Sequence, residues 1–288
     1  MKLGFRRTAV QALCTVLILC GLIGGTRVWG RDMPVAAFGK EEGVELPILM
    51  YHSILKDGAR QGKYVLSPNA LAADLDYLKK EGYETITVAD LLAYVKEGAA
   101  LPQKPVMITF DDGYFNNYVY AYPLLKDRGM RAVVSVIGSQ TALFTENGEE
   151  NAYWSHLKLE HLEEMQDVFE VQNHSWNLHE YGERRGCLRR KGEDEVSYES
   201  FLREDTEQTQ ELLVEAGLPE PTCYTYPFGA CSKESEQVLR SMGFQCTLGC
   251  SEQINTVTRD PECLYGMGRF NRPAGVSTSS YMKKALGE

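Results

Sequence analysis

The sequence predicts an α/β fold built on a parallel sheet or barrel, and three observations support this class. Apolar segments of strand length alternate with helical segments from residue 46 to residue 270, as expected when helices connect parallel strands. Several apolar segments end in polar residues, as strands do at the edge of a sheet that carries a site. The 288 residues are 43% hydrophobic and include 16 tyrosines, which excludes a disordered chain.

The charge distribution separates the N-terminus from the rest of the chain. Five of the 30 basic residues and none of the 40 acidic residues lie in residues 1–31. The remaining chain therefore has 25 basic and 40 acidic residues, a net charge of −15. Since such a chain lacks the basic face that meets phosphates, we predict no nucleic-acid partner.

Residues 1–31 are predicted to be a signal peptide or an uncleaved signal-anchor helix. Lys2, Arg6 and Arg7 precede an uncharged segment at 8–25, which is 18 residues long. This run is longer than the apolar region of most cleaved signals and has the minimum length of a membrane-spanning helix. The positive residues ahead of it predict that the following chain faces outward. We therefore expect an extracytoplasmic protein, with a membrane contact through this segment and a linker at 32–44.

The first elements are predicted from apolar spacing and capping residues. Ser67 and Pro68 form an N-cap and a first-turn proline, and leucines follow at 71, 75 and 78 at helical spacing. The predicted order is a strand at 46–52, a helix from 67 to 82, a strand at 86–88, a helix ending at Gly98, a strand at 105–110, a helix ending at Gly129 and a strand at 132–137.

The second half of the chain continues the alternation. Residues 180–198 are dense in charge and predict a solvated surface loop. The remaining predicted elements are a helix at 156–167, a strand at 168–172, a helix at 199–216, a strand at 223–226, a helix at 233–242, and strands at 244–248 and 264–270. Residues 273–288 are predicted to be a C-terminal tail.

Six of the eight cysteines lie beyond the N-terminal segment, and five of these fall between 223 and 263. Outside the cell they could form up to three disulfides, which would staple the C-terminal part. Buried free thiols are the alternative. No CxxC pair is present, so the cysteines do not predict a zinc ribbon.

The strongest local signal is the sequence TFDDG at residues 109–113. It puts Asp111 and Asp112 at the end of an apolar strand, followed by a glycine that permits a sharp turn. That end of a strand is where α/β barrels place their chemistry. Adjacent strand residues point to opposite sides, so the two carboxylates need not share a role. A simple turn stabilised by an Asx cap is the alternative interpretation.

A second signal is the histidine pair His174 and His179, which also follows a strand. At helical geometry two residues five apart face about 140° away from each other, so the pair can converge only if the intervening chain is irregular. An incidental pair is the alternative. If both signals meet at one edge of the sheet, Asp112, His174 and His179 form a site with two histidines, one carboxylate and positions open to water, which is typical of a catalytic metal site.

With these motifs the sequence resembles the polysaccharide deacetylases with a NodB-type domain, carbohydrate esterase family four. The first family motif, TFDDG, is intact at 109–113. The second is present in its longer form as HSWNLH at 174–179, and the third as YPFG at 226–229. The resemblance extends from about residue 47 to 272. It implies a distorted (β/α) barrel of the polysaccharide deacetylase type, which we assign to residues 45–272.

The resemblance also implies roles for individual residues. Asp111 matches the general base, and Asp112, His174 and His179 match the ligands of a divalent metal. Zinc suits these ligands best, and cobalt, nickel or manganese are further options. The backbone N–H of Phe228 matches the donor to the oxyanion of the tetrahedral intermediate.

The sequence departs from the common family pattern in two places. No histidine follows His179, although the family usually takes its general acid from a C-terminal histidine. In a branch of the family that resembles exported poly-N-acetylglucosamine deacetylases, this histidine lies near the N-terminal end of the domain instead. We therefore assign the general acid to His52, with a structural histidine as the alternative. Thr225 stands where many members have an arginine that orients the base. Arg269 is our candidate replacement, with a structural ion pair as the alternative.

Four further residues are predicted to contact the substrate. Trp176 lies between the paired histidines, where it could stack on a sugar or pack in the core. Tyr114 follows the carboxylates, and Tyr226 and Pro227 belong to the third motif. His156 and His161, on or beside a charged helix, are predicted to be surface residues.

The predicted function is removal of N-acetyl groups, with release of acetate, from an extracellular amino-sugar polymer. The polymer would be peptidoglycan or poly-N-acetylglucosamine, and no obligate protein partner is evident. Two alternatives are a glycoside hydrolase that uses the paired carboxylates, which leaves the histidines unexplained, and a catalytically silent glycan-binding module.

Overall fold

The computed structural model describes residues 43–179 and 182–288. The predicted signal or anchor segment at 1–31, and nearly all of the linker at 32–44, lie outside the described residues. Within the described ranges, no helix combines the length and the apolar character that a membrane crossing requires.

The described residues form short strands that are mostly buried. In chain order they are β1 (Val44–Leu46), β2 (Ile48–Tyr51), β3 (Ser53–Ile54), β4 (Val65–Leu66), β5 (Glu84–Ile86), β6 (Pro105–Phe110), β7 (Ala132–Val136), β8 (Phe169–Asn173), β9 (Cys223–Thr225), β10 (Cys246–Leu248), β11 (Asn255–Val257) and β12 (Phe270–Asn271).

Eight of these strands form one parallel sheet in the order β10-β9-β8-β7-β6-β2-β12, with β5 also paired to β6. Residues 267–269 connect β10 and β12, the first and last strands of this order. The N–H of Met267 donates to Thr247 O (2.9 Å) and that of Arg269 donates to Ser251 O (2.9 Å), while Phe270 pairs with Leu49 of β2. The predicted α/β class with a parallel sheet is confirmed, as a sheet that curves into a partial barrel.

Helices connect the parallel strands, as the alternation in the sequence predicts. They are α1 (Pro68–Lys80), α2 (Val88–Leu92), α3 (Tyr122–Lys126), α4 (Gly138–Asn147), α5 (Leu159–Glu164), α6 (Glu195–Glu215), α7 (Lys233–Ser241) and α8 (Thr278–Leu286). A π-helical turn extends α2 through Ala93–Glu97, and another precedes α3 at Asn117–Ala121. The predicted cap of α1 is present, since Ser67 Oγ accepts a hydrogen bond from the N–H of Ala70 (3.1 Å).

The central strand β6 is buried along its whole length. Val106, Ile108 and Phe110 pack into one apolar cluster, and Met107 packs into another on the opposite face. This alternation follows from the two-residue period of a strand. Because both faces are covered, the segment is apolar at almost every position.

The predicted tail at 273–288 is wrong, because this segment contains α8 and belongs to the core. Tyr281, Met282, Ala285 and Leu286 are buried and pack in the same cluster as β2 and α1. Their spacing places them on one face of a helix. The periodic apolar residues were therefore a signal for a packed helix.

Several predicted boundaries also differ. Helix α6 begins at Glu195, inside the predicted loop at 180–198, because Asp194 Oδ1 accepts from the N–H of Ser197 (3.0 Å) and caps the helix. The predicted helix at 156–167 is reduced to α5. Instead of a strand at 264–270, a 3₁₀ turn at Pro261–Leu264 is followed by β12. Helix α4 was not predicted, and it begins without a side-chain cap.

The six cysteines in the described ranges are free thiols, so no disulfide staples the C-terminal part there. Cys223 and Cys246 lie opposite each other on β9 and β10 and are buried. Cys187 is also buried, with its sulfur 3.3 Å from the Tyr224 hydroxyl. The buried free-thiol alternative therefore describes these three residues.

A buried ion pair attaches the C-terminal segment to α1. The Asp74 carboxylate accepts from Arg272 Nε (2.7 Å) and Nη2 (3.1 Å). It also accepts from the Tyr51 hydroxyl (3.2 Å) and from Thr278 Oγ1 (2.6 Å). Asp74 and Arg272 are almost fully buried, so each charge depends on the other for compensation.

We expect Asp74→Asn to lower the free energy of unfolding by about 3–5 kcal/mol, because it leaves the Arg272 guanidinium buried without a counter-charge. Denaturant unfolding of the full chain measures the effect. Asp76→Asn is the matched control on the same helix, since Asp76 pairs with Arg128 at the surface, where an ion pair contributes little. Equal effects of the two substitutions would contradict the assigned role of the buried pair.

Candidate metal centre and active site

The turn after β6 presents both carboxylates of the first motif to one cleft. Asp112 and Gly113 both have left-handed backbone conformations, each with φ of 69°. A Cβ at Gly113 would lie 2.9 Å from Val136 Cγ1, so this position requires glycine. The chain therefore turns sharply at the carboxyl end of the strand, and both Asp111 and Asp112 line the cleft.

The structure brings Asp112, His174 and His179 together. Asp112 Oδ1 lies 3.4 Å from His174 Nε2 and 3.3 Å from His179 Nε2, and the two Nε2 atoms are 2.9 Å apart. One ligand atom from each residue lies within 4.8 Å of the others. Three donor atoms from separate parts of the chain therefore face a single point.

The histidines converge because the chain between them is a turn. Ser175 has a left-handed φ of 72°, and its N–H donates to Asn173 Oδ1 (2.8 Å). The Asp205 carboxylate of α6 accepts from the next two backbone N–H groups, at 2.9 Å each. These bonds replace the helical pattern that would have separated the two rings.

The donor set fits a divalent metal such as zinc. His174 Nδ1 lies 2.7 Å from Thr225 O; because a carbonyl only accepts, this bond puts the proton on Nδ1 and leaves Nε2 a lone pair. Such a bond to the outer nitrogen is typical of metal-binding histidines. Burial lowers the pKa of His179 to about 4, so its ring is neutral at pH 7. Two histidines and one carboxylate are a common zinc ligand set.

Asp111 is fixed by Arg269, which residues 267–269 bring to the same end of the sheet. Arg269 Nη1 and Nη2 donate to the two carboxylate oxygens at 2.6 and 2.8 Å, and Nε donates to Gly249 O (2.8 Å). Burial alone would raise the pKa of Asp111, but the charge and hydrogen bonds of Arg269 lower it below its usual range. Asp111 is therefore an oriented, ionised carboxylate.

His52 lies at the end of β2 beside Asp111. Its Nε2 is 3.9 Å from Asp111 Oδ2, and its ring centroid is 4.6 Å from that of Tyr64. Burial lowers the pKa of His52, against the opposing effect of the two aspartates. The His52 backbone is fixed by Asn117 Nδ2, which donates to its carbonyl (2.8 Å).

The cleft around these groups has a volume of about 730 Å³. Tyr114, Tyr226 and Phe228 line it. Phe228 has a left-handed backbone, with φ of 59° and ψ of 8°, and its ring centroid is 4.5 Å from that of His179. The third motif therefore forms one wall of the cleft, beside the histidine pair.

Two predicted substrate residues are not among the residues that line the cleft. Trp176 is half-buried and packs against Gly138, where an added Cβ would come within 2.7 Å of the indole Cε3. Pro227 is buried, with its carbonyl oxygen facing Gly186. The substrate contacts of these two residues stay predictions.

The prediction that His156 and His161 are surface residues is wrong, since both are buried. His156 lines the cleft, and sequence reasoning missed it because the segment that contacts it is more than 40 residues earlier. His161 lies near Glu150 and Glu160. The Lys158 ammonium group pairs with both of these carboxylates, so this second group is an ion-pair network.

The chain is similar to known proteins of one family. A model of the family "Polysaccharide deacetylase" matches residues 98–247, slightly more than half of the chain. The Bacillus subtilis (strain 168) protein named "Putative polysaccharide deacetylase YxkH" is 26% identical over 242 residues, which cover 84% of this chain and 76% of that protein. The poly-beta-1,6-N-acetyl-D-glucosamine N-deacetylase of Escherichia coli (strain K12) is 22% identical, over 73% of this chain and 35% of that protein.

Solved structures show the same architecture. IcaB from Ammonifex degensii matches with a TM-score of 0.67 and 26% identity, over 85% of this chain and 97% of that chain. The Streptococcus pyogenes deacetylase PplD, solved in complex with acetate, matches in fold with a TM-score of 0.68 and 21% identity, over 84% and 99% of the two chains. With the family model spanning the three motifs, these matches establish that the chain belongs to the polysaccharide deacetylase family and is an enzyme that hydrolyses amide bonds of acetylated carbohydrates.

Proposed function

We propose that the protein is a metal-dependent N-deacetylase of an extracellular amino-sugar polymer, and that it releases acetate. The observation that carries this proposal is the convergence of Asp112, His174 and His179 beside a fixed carboxylate. Asp111, which Arg269 orients, lines the same cleft. A water-activating centre and a proton acceptor are thus adjacent, which is what hydrolysis of an amide requires.

The metal would be held by Asp112 Oδ1, His174 Nε2 and His179 Nε2. Zinc is the ion we propose, and cobalt, nickel or manganese also suit these ligands. A divalent ion bound there supplies Lewis acidity, which polarises an amide carbonyl and lowers the pKa of water towards neutrality. The ring of Phe228 packs against His179 and so limits the positions its imidazole can adopt.

Asp111 is proposed as the general base. Its carboxylate is ionised because of Arg269, so it can accept a proton from the attacking water. The bidentate pair also fixes the direction of the carboxylate lone pairs. Positioning of this kind accounts for a large part of the effect of a catalytic base.

Phe228 and His52 are proposed to assist at the two sides of the amide. The backbone N–H of Phe228 would donate to the oxyanion of the tetrahedral intermediate. Its lowered pKa leaves the His52 imidazole neutral at pH 7, so His52 would pass on to the departing amine the proton that Asp111 takes from the attacking water. The short distance from His52 to Asp111 supports this assignment, since the base that gains a proton and the acid that supplies one lie on the same side of the cleft.

We expect His52→Ala to lower kcat on an acetylated glucosamine oligomer by about a hundredfold or more, because a positioned general acid contributes about 10²–10⁴ to the rate. Zinc affinity should change little, since His52 is outside the proposed ligand set. Steady-state acetate release measures kcat, and an unchanged kcat would show that His52 is not the acid.

The proposed substrate is peptidoglycan N-acetylglucosamine or poly-N-acetylglucosamine. The cleft is open at the carboxyl end of the sheet, and Tyr64 on its wall is 48% exposed. An exposed tyrosine offers an apolar ring with a polar end to a sugar. The E. coli relative is named as acting on a β-1,6-linked polymer, which makes that linkage the first to test.

A glycoside hydrolase is disfavoured by the state of the carboxylates. Such an enzyme needs a carboxylic acid that remains protonated at working pH, whereas Asp111 and Asp112 both have a lowered pKa. Acetate and new reducing ends should be measured together on β-1,6-linked N-acetylglucosamine oligomers, chitin oligomers and peptidoglycan. We expect acetate alone, and a chelator should abolish its release. New reducing ends that persist with the chelator would support the hydrolase.

We also propose an extracytoplasmic location, with residues 1–31 as signal or anchor and 32–44 as linker. The support is the order of positive, uncharged and acidic regions in the sequence. An acetylated glycan of the cell envelope is accessible only on that side of the membrane.

A further inference from the structure

The turn that carries Asp112 is paired with a distant segment around His156. The N–H of Phe115 donates to Ser155 O (2.8 Å), and that of Leu157 donates to Gly113 O (2.7 Å). Between these two bonds, Tyr114 and His156 form an antiparallel bridge. The position of His156 relative to the turn is therefore fixed by backbone hydrogen bonds on both sides.

The His156 side chain points towards the turn and contacts the backbone of Asp112. Its Nδ1 lies 2.8 Å from Asp112 O. A carbonyl oxygen can only accept, so Nδ1 must carry the proton and donate. The imidazole is packed between two rings, with centroids 4.9 Å from Tyr114 and 5.7 Å from Phe144. It is only 9% exposed.

This hydrogen bond acts at a backbone conformation that an aspartate rarely adopts. Asp112 has φ of 69°, and a left-handed conformation costs a residue other than glycine about 1–2 kcal/mol. The direction of the Asp112 carbonyl is set by that conformation, and so is the direction of its side chain. Fixing the carbonyl therefore also helps to aim Oδ1 at His174 and His179.

We infer that His156 is a positioning residue of the metal centre, which acts through the backbone of Asp112 and not as a ligand. The inference rests on the metal site proposed above. In other metal sites, groups that hydrogen-bond to the ligands raise metal affinity by about 10–100-fold. Here the hydrogen bond is made to the backbone carbonyl of the ligand residue Asp112 and not to its side chain.

The test compares His156→Leu with His156→Asn in the full chain. The two side chains have nearly the same size, but only asparagine retains an N–H donor near the position of Nδ1. Zinc binding to the metal-free protein is measured by competition with a chelator. We expect His156→Leu to weaken zinc affinity by at least about tenfold, and His156→Asn to remain close to the wild-type value. The loss of activity in His156→Leu should be recovered at saturating zinc.

Two further variants separate positioning from general packing. His156→Phe keeps a ring between Tyr114 and Phe144, removes the donor and should match His156→Leu, so the test remains available if the leucine variant does not fold. His161→Asn changes a buried histidine of the same segment that does not contact Asp112, and it should leave zinc affinity unchanged. Equal zinc affinities of the leucine, phenylalanine and asparagine variants would overturn the inference. A wild-type chain that binds no zinc would instead contradict the metal site itself.

Discussion

Replacing His174 by alanine is expected to lower zinc affinity by more than about a hundredfold, because even the groups that only hydrogen-bond to metal ligands contribute about 10–100-fold. His174 is the most constrained member of the set. It is buried, and its Nδ1 is fixed by Thr225 O at 2.7 Å. Its removal takes away one of three donor atoms and leaves no nearby histidine that could substitute, since His52 is directed at Asp111.

The same substitution should lower kcat by at least about a thousandfold, because loss of the metal removes several kcal/mol of charge stabilisation from the transition state. Acetate release and zinc content are measured on the same preparation. His161→Ala is the control, since it removes a buried histidine outside the centre. A His174→Ala protein that retains both zinc and activity would show that the metal is held by other residues.

Asp111→Asn is expected to lower kcat by about 10²–10⁴, which is the contribution of a positioned general base. The amide is close in shape to the carboxylate, and its oxygen can still accept from Arg269. It cannot accept a proton from water. Zinc affinity should change little, because Asp111 is not one of the three ligands.

The Asp111 substitution also leaves Arg269 buried without a counter-charge, so stability must be measured beside activity. We expect a lower Tm, in line with the cost of an unpaired buried charge. Arg269→Lys is the companion variant. It keeps the positive charge but loses the bidentate geometry, and it should lower kcat less than Asp111→Asn does. A kcat of Asp111→Asn within a factor of a few of wild type would rule out Asp111 as the base.

The ends of the parallel strands could be located from the sequence, and with them most of the site. Asp111, His174 and the third motif each follow an apolar segment, and parallel strands present their carboxyl ends at one edge of a sheet. That rule predicts which residues meet, and the resemblance to the family predicts their roles. Arg269 donates to both carboxylate oxygens of Asp111, and its role as replacement for the motif arginine stays a prediction.

What could not be predicted depends on contacts between distant segments. His156 is buried because residues 155–157 pair with residues 113–115 and because Phe144 covers its ring, and none of these contacts has a local sequence signature. Trp176 packs against Gly138, 38 residues earlier, and is not among the residues that line the cleft. Helix α8 is different, since the spacing of its buried apolar residues is a local sequence signal for a helix.

The central claim is that one metal ion, held by Asp112, His174 and His179, is required for deacetylation. The most direct measurement is a titration of the metal-free full chain with zinc, in which bound zinc and the rate of acetate release from a β-1,6-linked N-acetylglucosamine oligomer are followed together. We predict that the rate rises in proportion to bound zinc and reaches its limit at one equivalent. Acetate release by the metal-free protein at the same rate would contradict the account.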